Sequence, residues 1–496
     1  MKKRMIKNCF KTGLVLALVL SLCSCGPMKN MGKPVESIAE EEQSGKASQP
    51  ASGTQAATEA GIVEVTEGQY GQAGDYLVSK KVQLPAQAQF PKDEDFIKED
   101  GEFDSDGYLA ANEAWYNDYS AQLDISEETV SKMYDYYKKT IPYLLKDEKN
   151  QNILYSPVNV YLALGMLCEV TDGDSRQQIL DVLGEKDIDS LRESVKQIWN
   201  TSYADDGTVT SLLAASLWMN QDIEFNQETI DKLADFYYAE SYKGQPGTPG
   251  MDAALQGWLN EHTGNLLKEE ASQITLDPAT VLALATTLYY KASWAEDFPK
   301  DATTTDIFHA VKGDVETEFM HTSANGSYYW GDHFTAIRRE LANSGSMTLI
   351  LPEEGKTPQD LLEDAEVMEF IEGNTEWENE KYVMIHESIP KFDVNSMIEL
   401  SDAMKKLGIQ DVFVPNKADF SPMLKDDEDT YLSSAQHAVR VKIDEEGVEA
   451  AAFTVMMMEN AMEMNDEVDF VLDRPFLFVI TGANGLPLFT GIVETP

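Results

Sequence analysis

Cysteine and histidine are scarce in this chain, and their scarcity removes several kinds of chemistry at once. Of four cysteines in 496 residues, Cys9, Cys23 and Cys25 crowd the N-terminus and only Cys168 remains further on. No disulfide framework can form in the body of the protein. Cys168 ends the apolar run Leu162-Ala163-Leu164-Gly165-Met166-Leu167, where a thiol serves as a small core residue rather than a nucleophile. The six histidines are scattered, none at ligand spacing from another histidine or a cysteine, so no metal site is expected. Basic residues are outnumbered, 39 Lys and Arg against 86 Asp and Glu, for a net charge of −47. That field repels phosphate backbones and anionic headgroups and excludes nucleic acid as a partner. The chain also lacks a G-x-S-x-G elbow, an H-E-x-x-H helix, a phosphate-binding Walker loop and a G-x-G-x-x-G turn, the signatures of common enzyme classes. No catalytic residue and no cofactor emerges.

What is present begins with a leader. Lys2, Lys3, Arg4, Lys7 and Lys11 precede an apolar run from Leu14 to Leu22, the layout of a signal peptide and too short for a membrane span. The next residues, Leu22-Cys23-Ser24-Cys25-Gly26, resemble a bacterial lipobox, in which a small residue precedes the acylated cysteine. Ser24 makes Cys25 the lipidated residue, and residues 1–24 the leader. From 25 to 61 the composition is Ser, Ala, Gln, Glu, Gly and Pro with almost no aromatics, which cannot bury a core and reads as a disordered tether. About 35 such residues have an r.m.s. reach of roughly 30 to 35 Å. The expected location is therefore outside the cell, anchored to the outer face of the membrane through lipid alone. Residues 62–125 contain aromatics and the acidic stretches Lys92-Asp93-Glu94-Asp95 and Asp104-Ser105-Asp106-Gly107 but no clear periodicity, and no fold is assigned to them.

A stronger pattern starts at Ser126, whose following Glu127 and Glu128 mark a helix N-terminus continued by apolar spacing to Leu145. Beyond it, 212–219, 348–352 and 439–443 read as strands and 226–240 and 251–267 as helices. The result is an α+β domain of about 370 residues without internal repeats. The segment running from Val441 through Glu445-Glu446-Gly447-Val448 to Ala450-Ala451-Ala452 and Met458 is unusual. At period two, one of its faces carries Val448, Ala450, Ala452, Thr454, Met456 and Met458 and no charge, so it could enter a sheet. On propensity alone helix and strand are evenly matched.

That segment resembles the hinge of inhibitory serpins: acid, any residue, Gly, small or apolar, any residue, then small residues. Other segments resemble the family in order: Asn152-Ile153-Leu154-Tyr155-Ser156-Pro157, Leu288-Tyr289-Tyr290-Lys291-Ala292-Ser293-Trp294, Ile389-Pro390-Lys391-Phe392, Leu407-Gly408-Ile409, Ala418-Asp419-Phe420-Ser421, His437 and Arg474-Pro475-Phe476 through Gly491. The resemblance covers residues 126–496. It implies the serpin fold: a large central mixed β-sheet, additional sheets, eight or nine helices and an exposed reactive-centre loop near the C-terminus. It also implies a monomer that acts as a suicide-substrate inhibitor of serine or cysteine proteases. The protease acylates itself on the loop, and the cleaved loop inserts into the main sheet before water can release the enzyme.

Carried over residue by residue, Glu445, Gly447, Val448 and Ala450 to Ala452 form the hinge. Ser156, Asn159, Thr286 and His437 form the shutter beneath the sheet, and Trp294 belongs to the breach where insertion starts. Asn159 and Thr286 depart from the family's serine and asparagine, and Val448 from its usual Thr or Ser. Counting forward from the hinge puts the cleaved bond between Ala461 and Met462; counting back from Pro475 points to Met464. Either presents an apolar residue suited to elastase-, subtilisin- or chymotrypsin-like enzymes, and no Lys or Arg lies between Lys442 and Arg474 to attract a trypsin-like one. The alternative is a non-inhibitory serpin acting as a binding or scaffold protein.

Overall fold

Strands buried on both faces read as unbroken apolar runs, and Leu282–Ser293 is one, with every residue buried except Tyr289 and Lys291. It lies at the centre of the computed structural model. The structure describes residues 73–496 apart from 79–81, 86, 88, 99, 147–150, 266, 343–344, 373–376, 426–429 and 449–465, together with the backbone of 13–21. Its strands form two sheets, numbered here in chain order. The main sheet holds β1 (Gly13–Ser21), β3 (Ala204–Asp205), β4 (Thr210–Asn220), β5 (Ala239–Gly244), β6 (Leu282–Ser293), β12 (Phe392–Glu399), β13 (Tyr431–Asp444) and β14 (Gly447–Val448). β4 pairs with β6 and β12 with β13, both antiparallel, while β5 adds to β4 in parallel. Among the described residues no ladder joins β6 directly to β13. At one end β14 bridges them, and below it β1 runs parallel to β13 over Tyr431–Val439.

The second sheet contains β2 (Ile153–Tyr155), β7 (Thr304–Ala310), β8 (Gly313–Trp330), β9 (Phe334–Leu341), β10 (Gly345–Pro352), β11 (Glu380–Pro390), β15 (Glu467–Val471), β16 (Phe476–Gly482) and β17 (Pro487–Val493). It is antiparallel except where β15 lies parallel to β11. Before residues 449–465 the described chain lies in the main sheet, at Val448, and after them it lies in the other sheet, from Glu467. Among the described residues, eleven α-helices surround the sheets. Two of them have only four residues and one lies ahead of residue 126, which accounts for the excess over eight or nine. The Pro249–Glu261 helix covers the front of the main sheet, packing Leu255 and Trp258 with Ala283 and Ala285 of β6 and Ala438 of β13.

The segment left without a fold turns out to clamp the edge of the main sheet. Tyr76 and Val78 exchange backbone hydrogen bonds with Lys243 and Ser241 of β5, each 2.8 Å, and cover an edge that would otherwise be open to pairing. Tyr76 can lie there because Gly244 and Gly250 have no side chains; a Cβ at either would sit 2.7 Å from it. The helix α1 (Ser105–Gln122) follows, capped by Asp104, which accepts from the Gly107 backbone N–H. Its buried Trp115 meets Phe90 edge-on at 4.8 Å and stacks on Tyr119 at 4.9 Å. Gln122 donates to the carbonyls of Asn200 and Tyr203. The acidic stretch at 104–107 was thus a helix cap. The helix itself escaped notice because its apolar residues form no continuous stripe.

Candidate functional site

Gly447 and Val448 stand inside the main sheet. Val448 pairs with Ile443 of β13 on one side and Ala292 of β6 on the other, and Gly447 with Asp444 and Ser293. Val448 is 2 % exposed. Only glycine fits at 447: its φ is +149°, and a Cβ there would lie 2.3 Å from the Ala292 carbonyl oxygen and 2.7 Å from Cα of Ser293.

The turn before β14 is held from below. The Trp294 indole N–H donates to the Asp444 carbonyl at 2.9 Å. The backbone N–H groups of Trp294 and Phe298 donate to the carbonyls of Glu446 and Glu445 at 3.1 and 3.0 Å. The Glu445 carboxylate accepts from Lys391 and from the Thr303 hydroxyl, each 2.7 Å away, while Glu446 pairs with Lys300. Burial pushes the Glu445 carboxyl up, but the hydrogen bonds from Lys391 and Thr303 and the Lys391 charge outweigh it and leave it below its ordinary range. Replacing Glu445 by Lys sets two ammonium groups against each other. The expected loss is roughly 1.5–3 kcal/mol, the worth of a hydrogen bond to a charged group, measurable as a lowered thermal midpoint and a hinge more open to proteolysis.

The second cluster lies beneath the sheet. Ser156 caps α3 (Pro157–Glu169), accepting from the Asn159 N–H at 3.2 Å with Pro157 in the first turn. Its backbone N–H donates to His437 Nε2 at 3.0 Å. The Thr286 hydroxyl donates to Asn159 Oδ1 at 2.5 Å, tying the helix to β6 just as Ser156 ties it to β13. All four residues are buried. Accepting at Nε2 places the proton of neutral His437 on Nδ1, and burial pushes its pKa down to about 3. Protonation would set a new N–H against the Ser156 donor. Above about pH 6.5 the ring is neutral folded or unfolded; below that the unfolded chain binds a proton that the folded one refuses. Stability should therefore fall as pH drops from about 6.5 toward 3, by up to about 1.4 kcal/mol per pH unit from this group. The slope of the thermal midpoint against pH should flatten in His437→Gln.

A family model described as serpin (serine protease inhibitor) matches residues 135–496. The chain belongs to the serpin family. Serpin-Z2A of Triticum aestivum is 28% identical over 368 residues, covering 70% of this chain and 90% of its own. Plasminogen activator inhibitor 1 of Sus scrofa is 27% identical over 381 residues, covering 73% and 91%. Among solved structures, the native state of the thermophilic serpin Tengpin superposes with a TM-score of 0.67 at 24% identity, covering 75% of this chain and 95% of that one.

The structure brings Glu445, Gly447 and Val448, which the sequence reading placed in the hinge, beside Trp294, and gathers Ser156, Asn159, Thr286 and His437, which it placed in the shutter, into one cluster. The rest of the sequence-derived site, Ala450, Ala451, Ala452, Ala461, Met462 and Met464, lies outside the described residues, as does Cys25. Cys168 is buried in the core, and burial raises its thiol pKa to about 12, which keeps it protonated. Lys391 was noticed in the sequence only as a family landmark. Thr303 and Lys300 were missed, because nothing in their neighbourhood signals that they meet a residue more than 140 positions away.

Proposed function

We propose that this serpin is a suicide inhibitor of serine proteases, and of cysteine proteases that accept the same loop. The observation that carries the reading is Val448, uncharged and already paired on both sides between β6 and β13. A strand begun there needs only to be released at its far end to continue. The protease nucleophile attacks a loop carbonyl; the peptide bond breaks, the new amine leaves with the β15 side, and the enzyme stays acylated on the β14 side. Insertion of that freed arm between β6 and β13 then carries the enzyme away from the loop. The fourteen residue steps from Gly447 to Ala461 span roughly 45 Å as a strand. Energy for this must be stored in the uncleaved chain behind a kinetic barrier.

The apolar residues Ala461, Met462 and Met464 and the absence of Lys and Arg from 443 to 473 favour elastase-, subtilisin- or chymotrypsin-like targets. The leader and Cys25 support export as a lipoprotein of the outer face of a bacterial membrane, acting there as a monomer. Removal of the leader in maturation would take β1 out of the space below β14 and leave it for the loop.

Mixing the purified protein with neutrophil elastase, subtilisin and chymotrypsin, then running denaturing gels with mass spectrometry of the released peptide, tests the reading. A band at the summed mass is expected, and the peptide identifies the cleaved bond. Clean cleavage by every enzyme without such a band would leave a non-inhibitory serpin.

A further inference from the structure

A second charged group, unremarked in the sequence, lies directly under the hinge. Arg339 of β9 is 7 % exposed. Its Nη1 donates to Oε2 of Glu387 on β11 at 2.8 Å, and its Nη2 to the Glu296 carbonyl at 2.5 Å. The guanidinium lies over the rings of Phe298 and Trp294, 4.2 and 5.3 Å from their centroids. Those two residues hold the carbonyls of Asp444, Glu445 and Glu446, where the chain turns into β14. Glu387, at the other end of the ion pair, faces Phe470 in the register of β11 with β15, and the neighbouring Ser388 carbonyl accepts from the Leu472 N–H at 2.9 Å. β15 is where the chain returns after the loop. One buried ion pair therefore joins the aromatic pair under the upstream end of the loop to the strand that anchors its downstream end.

A buried pair of this kind contributes little net stability, because two desolvated charges cost about what their attraction returns, while its planar fork imposes a definite geometry. Leucines could fill the same space. What they could not do is hold β9, β11 and the two aromatic rings in one orientation.

We propose that Arg339 is a positioning residue for loop insertion: through Glu387 and the Trp294–Phe298 pair it sets the two ends of the reactive loop relative to one another, so that the freed upstream end is aimed between β6 and β13. This rests on the inhibitor reading for its consequence in trapping, but not for its consequence in insertion. The double variant R339L/E387L removes both charges without stranding either, and R339K keeps the charge but loses the fork. Each is compared with the unaltered protein in three measurements. These are the thermal midpoint, the number of serpin molecules consumed per protease trapped, and the rate at which protein cut in the loop by papain acquires resistance to heat.

The midpoint of R339L/E387L should lie within a few degrees of the original, consumption per trapped protease should rise several-fold, and insertion after cutting should slow by a similar factor, with R339K intermediate. Unchanged consumption and insertion rate in both variants would overturn the proposal. If the unaltered protein traps nothing, the inhibitor reading falls and the insertion rate alone decides for or against Arg339. Should cutting fail to raise heat resistance even in the unaltered protein, the proposal falls too. Should the double variant not fold, R339K decides: an insertion rate equal to the original counts against the proposal, and a slower one at an unchanged midpoint supports it.

Discussion

Glutamate in place of Val448 is expected to turn the protein from an inhibitor into a substrate. Val448 is buried between two strands, with Ile443 and Ala292 as its cross-strand neighbours. A carboxylate there would be buried between apolar cross-strand neighbours, at a cost on the order of 3–5 kcal/mol for an uncompensated buried charge. Because Val448 is already in the sheet, that penalty drives β14 out of it before cleavage, and insertion must begin by returning it at the same cost, which slows the step by roughly a hundredfold or more. Hydrolysis of the acyl-enzyme does not depend on the hinge and proceeds unhindered. Val448→Glu should therefore be cut at an undiminished rate yet yield no denaturation-resistant complex, whereas Val448→Thr, with a hydroxyl of similar size, should still trap. Equal complex formation by the Glu variant would show that insertion does not pass through this position.

Trp294→Ala carries the second large effect. The indole is buried, packs edge-on against Phe298 at 6.1 Å, lies under Arg339 and donates to the Asp444 carbonyl. Deleting so large a ring from a packed site costs about 3–5 kcal/mol. Here the void opens directly below β14, so the hinge should lose its seat as the fold weakens. Trp294→Phe separates the two contributions: it keeps most of the packing and leaves the Asp444 carbonyl without its donor, a loss of about 1 kcal/mol. Denaturant unfolding of both variants measures this, and a deficit of less than about 1 kcal/mol for the alanine variant would contradict the packing described.

Much of this was legible in one dimension. Strands at 212–219, 348–352 and 439–443 and the helix starting after Ser126 appear where periodicity and capping put them, because each depends on burial along one face of a local segment. Gly447 was singled out by the resemblance, and the structure gives the physical reason for a glycine there: a positive φ and a close backbone approach admit no other residue. The edge clamp formed by Tyr76 and Trp115 could not. Tyr76 requires two glycines more than 160 positions downstream to leave it room, and Trp115 takes its ring partners from both within and outside α1.

The same division runs through the site. By itself the sequence determined the family and the place of several of its elements, since these follow from local periodicity and short motifs. Only the tertiary structure decided that Val448 is already in the sheet, that Thr286 and Asn159 bond to each other, that Lys391 and Thr303 hold Glu445, and that Arg339 stands between the two ends of the loop. Each of those facts pairs groups between roughly 50 and 160 residues apart. Such pairings depend on how two sheets and their covering helices exclude water together, and no short stretch of chain encodes them.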